Sequence, residues 1–205
     1  MRIGYGWDSH EFKTGIPLKL GGIKIPHNKG LAGHSDGDVL LHALTDALLG
    51  AIAAGDIGTH FPPSDPKWKG ADSSSFVKEA VRLVQQAGYV VANVDSTLIL
   101  SHPKIVTFAA KIQARIGVLL NIPTTAVGIK AKTPEGMGTD NAAIAHVVVL
   151  LLKKGSGEQR KAETLEAVPQ PEIDQVVDRV LKEVPDTPKI KARRLNSEHS
   201  LEKRA

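Results

Sequence analysis

Strict alternation at the start of the chain constrains its fold more than any other feature. From Arg2 to His10 a period of two sends Ile3, Tyr5 and Trp7 to one side of an extended segment, and Arg2, Gly4, Gly6, Asp8 and His10 to the other. This predicts a β-strand with one apolar, aromatic face and a second face on which a carboxylate and an imidazole lie two residues apart.

Further elements follow from periodicity and punctuation. Leu18 to Ile25 alternates about Gly21-Gly22 and predicts a hairpin with its lysines in water. Ser35-Asp36-Gly37-Asp38 has the form of a capping box, and Val39, Leu41, Leu44, Leu48 and Ile52 follow at helical spacing, so a helix is expected over about Asp36 to Ala54, ended by Gly55. Residues 56–66 contain too many prolines and turn formers for regular structure, and a polar loop of that length usually has a task. A second helix is expected from Ser73 to Ala87, capped by Asp72 or Ser73 and stopped by Gly88. Tyr89 to Leu100 reads as a strand, Pro103 to about Leu120 as a helix, and Val127 to Lys132 as a strand. Ile144 and the run Val147 to Val149 favour a closing strand, with a helix starting at Asn141 as the alternative.

The 205 residues, 41% apolar, suffice for one ordinary core. No cysteine is present, so disulfides and thiolate sites are excluded, and any zinc must be held by His, Asp or Glu. Two regions are expected: a domain over 1–154, and a charged, proline-containing extension over 155–205. No aromatic residue follows Phe108, so the extension cannot build a core, and Ile173 to Val184 allows one amphipathic helix near 172–184. The extension carries ten charges of each sign, leaving 16 basic and 12 acidic groups in the domain. That modest excess suits a small anionic substrate, and without a basic stripe interleaved with aromatics it argues against nucleic acid. The start lacks a signal-peptide apolar stretch, and the longest apolar run, Val147 to Leu152, is far too short to span a membrane. A cytoplasmic protein is expected, or a plastid or related organelle protein lacking its transit peptide.

Several side-chain groups could carry chemistry. Asp8 and His10, with His42 from the first helix, form a mixed carboxylate and imidazole set that suits zinc and leaves a coordination position open. Asp46, one turn beyond His42, could orient that histidine's other ring nitrogen. The plainer reading makes Asp8 and His10 a strand end and His42 a half-buried helix residue. His34 and Ser35 lie at the expected helix start, where an anion could bind, or where Ser35 merely caps. Asp56 and Gly58 could meet a diol such as ribose, or terminate a helix. Lys104, Lys132, Thr133 and Glu135 follow strands and could meet phosphate and a hard cation, or stand as ordinary surface loops. His27, His60, His102, His146 and His199 have no partner at metal-ligand spacing; His146 reads as buried, and His102 could line a pocket beside Pro103.

Taken together these stretches resemble the 2-C-methyl-D-erythritol 2,4-cyclodiphosphate synthase family. The resemblance runs collinearly over about residues 1–153: Arg2 to His10, His34 to Asp38, His42 to Ala51, Gly55 to Gly58 with Phe61-Pro62, Asp65-Pro66 and Lys69 to Ser73, then Asn93 to Asp95, Pro103-Lys104 and Lys130 to Thr133 with Glu135. It implies an α/β (α+β) fold with a mixed sheet and helices packed on one face, assembled as a homotrimer with active sites between subunits. The implied reaction is a phosphorus–oxygen lyase step. The 2-phosphate of 4-diphosphocytidyl-2-C-methyl-D-erythritol 2-phosphate attacks the β-phosphorus of the diphosphate, giving the cyclic diphosphate and CMP.

By the same resemblance, Asp8, His10 and His42 hold zinc, and Glu135 helps to place Mg2+ or Mn2+ on the diphosphate. His34 and Thr133 act on the reacting phosphates with Ser35. Asp56, Ile57 and Gly58 meet the ribose, and Leu100, Pro103, Lys104, Ile105 and Val106 frame the cytosine. Phe61, Ser64, Asp65, Lys132 and Pro134 complete the substrate contacts. The chain departs from the family after Glu135, where a Gly-Arg-x-Glu-Gly segment is usual and Gly136 to Ala143 is shorter and without Arg. It departs also at Pro63 and Leu100 to His102, and in the extension beyond Lys154. The alternative of another class is a non-catalytic, metal-stabilised trimer that binds nucleotide or isoprenoid diphosphate; a zinc hydrolase is a weaker third, since no base is evident to activate water.

Overall fold

The computed structural model describes residues 1–155; the helix expected near 172–184 lies outside the described residues. A five-stranded mixed sheet carries the domain. Its strands are β1 (Arg2–Thr14), β4 (Lys29–Leu31), β5 (Tyr89–Ile99), β6 (Val127–Lys132) and β7 (Ala142–Lys153), in the order β4-β1-β7-β5-β6. All neighbours are antiparallel except β5 and β6. That parallel pair needs a crossover, which α4 (Ala109–Leu120) supplies. Strands β2 (Leu18–Leu20) and β3 (Ile23–Ile25) form the separate hairpin.

Helices α1 (Val39–Ala51), α3 (Ser74–Gln86) and α4 pack on one face of the sheet, and α2 (Ile57–His60) is a single turn beside α1. Gly4, Gly6 and Phe12 of β1 are buried beneath them, whereas Ile3, Tyr5 and Trp7 on the other face are 68, 58 and 49% exposed. Helix α1 is buried on nearly every side because it lies between the sheet and α3. Its contact with β1 is backbone on backbone. A Cβ at Gly6 would stand 1.9 Å from the Ala43 carbonyl oxygen, and one at Gly4 1.9 Å from that of Ala47. The two glycines let the helix settle directly on the strand, which brings its His42 turn over Asp8 and His10.

Several boundaries differ from expectation for local reasons. Helix α1 begins at Val39, three residues late, because Gly37 takes a positive φ of 74°. Asp38 is its cap, accepting the Leu41 N–H at 3.1 Å, and Ser35 is free for other work. The same Asp38 carboxylate accepts from the N–H groups of Gly21 and Gly22, which ties the hairpin to the helix. Residues 56–66 are not wholly irregular: Asp56 caps α2 by accepting the Thr59 N–H, and a 3-10 turn follows at Pro66–Trp68. After Pro103 the chain makes only a 3-10 turn, Ile105–Thr107. The Phe108 N–H is spent on Ile105, and α-helical bonding starts with the Ile112 N–H to the Phe108 carbonyl. Residues 142–153 form the strand rather than the helix, paired on both sides. Lys19 is not in water but half-buried between two carboxylates, Asp36 at 2.9 Å and Asp72 at 3.5 Å. His146 lies half-buried on the open sheet face, its Nδ1 2.9 Å from the Tyr5 hydroxyl.

Candidate active site

The pleat of β1 turns Asp8 and His10 toward α1, and the first turn of α1 carries His42 to them. Asp8 Oδ2 lies 3.0 Å from His42 Nδ1 and 3.0 Å from His10 Nε2, and the two ring nitrogens are 2.9 Å apart. This group could hold a metal ion. The donor chemistry fits: tetrahedral zinc with bonds of about 2.0–2.1 Å sets its ligand atoms roughly 3.3 Å apart, so the triangle needs to open by only a few tenths of an ångström. Burial opposes the Asp8 charge, but hydrogen bonds and charge from His10 and His42 outweigh it and hold the carboxyl well below the usual range.

The other ring nitrogen of His42 faces hydroxyls, not Asp46. Nε2 lies 2.8 Å from Ser35 Oγ and 2.9 Å from Ser73 Oγ. Ser73 Oγ donates in turn to Asp36 Oδ1 at 2.5 Å, and Lys19 Nζ is paired with Asp36 Oδ2. Asp46 accepts the Ile57 N–H at 2.7 Å instead and so anchors α2 to α1. Its position one turn beyond His42 is correct, but its direction is set by a different partner.

Beside the triangle opens a cavity of about 750 Å³, lined by Asp8, His10, His34, Ser35, His42, Asp46, Ile57, Gly58, Phe61 and Ser64 among the expected residues. His34 and Ser35 reach it from the loop before α1, not from a free helix N-terminus, since Asp38 occupies that end. Phe61, Trp68 and Phe76 make one aromatic wall, with ring centroids 4.6 to 5.6 Å apart. Gly33, Trp68, Lys69 and Phe76 line the cavity without having been singled out for it; Trp68 and Lys69 sit just beyond the proline-rich loop, and Phe76 was hidden as an ordinary helix position. Asp56 and Asp65 are absent from the lining. Each caps a turn, and the bonds from Thr59 and from the Lys67 N–H hold their carboxyls low.

The remaining expected residues lie elsewhere. Leu100, Pro103, Lys104, Ile105 and Val106 follow β5; Lys132 ends β6, and Thr133, Pro134 and Glu135 follow it. The two runs are joined by the Leu100 N–H to the Lys132 carbonyl at 3.0 Å, and Ser101 Oγ donates to Asp140 at 2.9 Å. Thr133 donates its hydroxyl to Glu135. None of these residues lines the cavity. At about 4.8 Å per strand, β6 stands three strands, or on the order of 14 Å, from β1. His102, exposed beside Pro103, is also away from the cavity.

A profile of the YgbB family matches residues 1–152. The 2-C-methyl-D-erythritol 2,4-cyclodiphosphate synthase of Koribacter versatilis is 64% identical over 154 residues, covering 75% of this chain and 99% of the relative. The chloroplastic enzyme of Arabidopsis thaliana is 52% identical over 156 residues, 75% of this chain and 68% of the relative. A solved structure of such a synthase in a form bound to CDP superposes with a TM-score of 0.71 at 42% identity, covering 74% of this chain and 100% of the other.

Proposed function

Because the chain belongs to the YgbB family of 2-C-methyl-D-erythritol 2,4-cyclodiphosphate synthases, we propose that it cyclises 4-diphosphocytidyl-2-C-methyl-D-erythritol 2-phosphate with release of CMP, as a metal-dependent phosphorus–oxygen lyase. The observation that carries this reading is the Asp8, His10 and His42 triangle at the edge of the aromatic-walled cavity.

In the reaction an oxygen of the 2-phosphate forms a bond to the β-phosphorus, and the bond from that phosphorus to the α-phosphate oxygen breaks, so that the electron pair leaves with CMP. Both partners are anions, and catalysis of such a transfer rests on positioning and charge neutralisation. A divalent cation on Asp8, His10 and His42, and Mg2+ or Mn2+ met by Glu135, would supply Lewis-acid neutralisation of phosphate charge. His34, Ser35 and Lys69 on the cavity rim add donors and positive charge for the phosphates. The wall of Phe61, Trp68 and Phe76 excludes water beside them, which strengthens each of these contacts. Asp56, Ile57 and Gly58 are the ribose contacts of this reading; the CDP-bound form of a related synthase supports a cytidine ligand.

Lys132, Thr133 and Glu135, with the cytosine-framing residues after β5, are too far along the sheet to join the same chain's cavity. In the proposed homotrimer each site takes one group from each of two neighbours. The open sheet face supports such an assembly, since Ile3, Tyr5, Trp7 and Val148 are each at least 45% exposed and form an apolar surface fit for burial. Among the described residues no helix is long and apolar enough to cross a membrane. Bacterial relatives suggest a cytoplasmic enzyme, and the chloroplastic ones a plastid counterpart.

Phosphorus NMR of the protein incubated with the substrate and Mg2+ tests the reading. Cyclic diphosphate plus CMP is expected. An unchanged substrate spectrum would leave a non-catalytic nucleotide-binding assembly, and a linear product would indicate a hydrolase.

A further inference from the structure

We propose that Ser73 and Asp36, which lie outside the metal triangle, position His42 for it by keeping a proton on Nε2, the ring nitrogen turned away from the metal. The inference rests on the metal reading of Asp8, His10 and His42. To ligate through Nδ1, His42 must keep its one proton on Nε2. Two hydroxyls face Nε2, and a hydroxyl can either accept or donate. The structure removes that freedom at Ser73. A carboxylate only accepts, so the single Ser73 proton is spent on Asp36 Oδ1 at 2.5 Å. Toward His42 the Ser73 oxygen, 2.9 Å away, can then only accept, and Nε2 must donate.

Three further observations make this a built arrangement. Ser73 is fully buried and His42 is only 8% exposed, so water does not compete for the proton. Ser73 Oγ makes no bond to its own helix, although it sits at the N-cap of α3 where such a bond is usual. Asp36 is held by Lys19 Nζ at 2.9 Å on its other oxygen, which favours the ionised, accept-only form. Ser35 Oγ, by contrast, keeps its own proton, which can go to Ser73 Oγ at 3.3 Å or to Nε2 at 2.8 Å, so it does not fix a direction.

The test uses full-length protein stripped of metal, zinc titrated against a chromophoric chelator, and long-range proton–nitrogen NMR of the histidine rings. In the metal-free wild type, His42 Nε2 is expected to carry a proton, whatever Nδ1 does toward the Asp8 carboxylate 3.0 Å away. S73A and the nearly isosteric D36N should each weaken zinc binding about 10–100-fold. In D36N the carboxamide can donate to Ser73, which turns the serine proton toward Nε2 and moves the ring proton to Nδ1. S35A should leave the tautomer as in wild type. A merely structural role would lower the melting temperature without moving the tautomer. Zinc affinity in both S73A and D36N within twofold of wild type, or an unchanged tautomer in D36N, would overturn the proposal. Wild-type protein that binds no zinc would instead overturn the metal reading on which it stands.

Discussion

Asp46 and Ser73 show how a side chain's role is decided by its partner rather than by its spacing. Asp46 lies at the fourth position after His42 on the same helix, yet its carboxylate is committed to the Ile57 N–H at 2.7 Å. Burial pushes that carboxyl above its ordinary value, and the charges of Asp56 and Asp8 add to the rise against the Ile57 bond. Asp46→Ala is therefore expected to leave one zinc per chain while loosening α2, raising the KM for the cytidine substrate about tenfold with kcat little changed; D46N, which keeps an acceptor, should recover most of the loss. Loss of zinc from D46A, measured by metal analysis, would return the residue to the metal's outer layer. The residues on β1 were legible because a period of two needs no tertiary knowledge. Ser73 was not, because 31 residues separate it from His42 and only the packing of α3 on α1 brings them together.

At the scale of elements, the site depends on how closely α1 lies on β1. Gly4 and Gly6 were legible as members of the ligand-bearing face, but their purpose appears only when Ala43 and Ala47 are seen against them. An added methyl at Gly6 would meet the backbone of α1 at 1.9 and 2.7 Å, and backbone cannot rotate away as a side chain can. The helix would have to lift, carrying His42 with it. Gly6→Ala is expected to cost about 3 kcal/mol by overpacking, to lower the melting temperature by roughly 6–12 °C, and to weaken zinc binding in the protein that remains folded. A G6A variant with wild-type melting and wild-type zinc affinity would show that the close contact does not position the metal group. The start of α1 gives the complementary lesson. Ser35 and Asp38 are both good caps by type, and what selects Asp38 is the positive φ of Gly37 together with the hairpin N–H groups that share its carboxylate. Neither could be read from the capping-box pattern alone.

At the scale of the whole molecule, one chain holds the two sets of proposed site residues at separated positions on its sheet. The group around the triangle lies by β1 and α1, and the Thr133 group lies beyond β6. The family pattern named both sets of residues and implied sites between subunits, but which residues a single chain keeps apart follows from strand order, a property of pairing. If sites form between neighbours, damage to the two groups must complement. His42→Ala and Thr133→Ala proteins are each expected to be nearly inactive alone. Unfolded together in equal amounts and refolded, they assemble at random, and a site is intact only when an undamaged His42 meets an undamaged Thr133 from the adjoining chain. That chance is about one in four, so recovery of roughly a quarter of wild-type turnover is expected for a cyclic assembly with heterologous contacts. Sites contained within one chain predict no recovery at all, because every chain in the mixture carries one lesion. The same mixture measured for mass by light scattering must show a trimer for the argument to hold, so activity and assembly are tested on one sample.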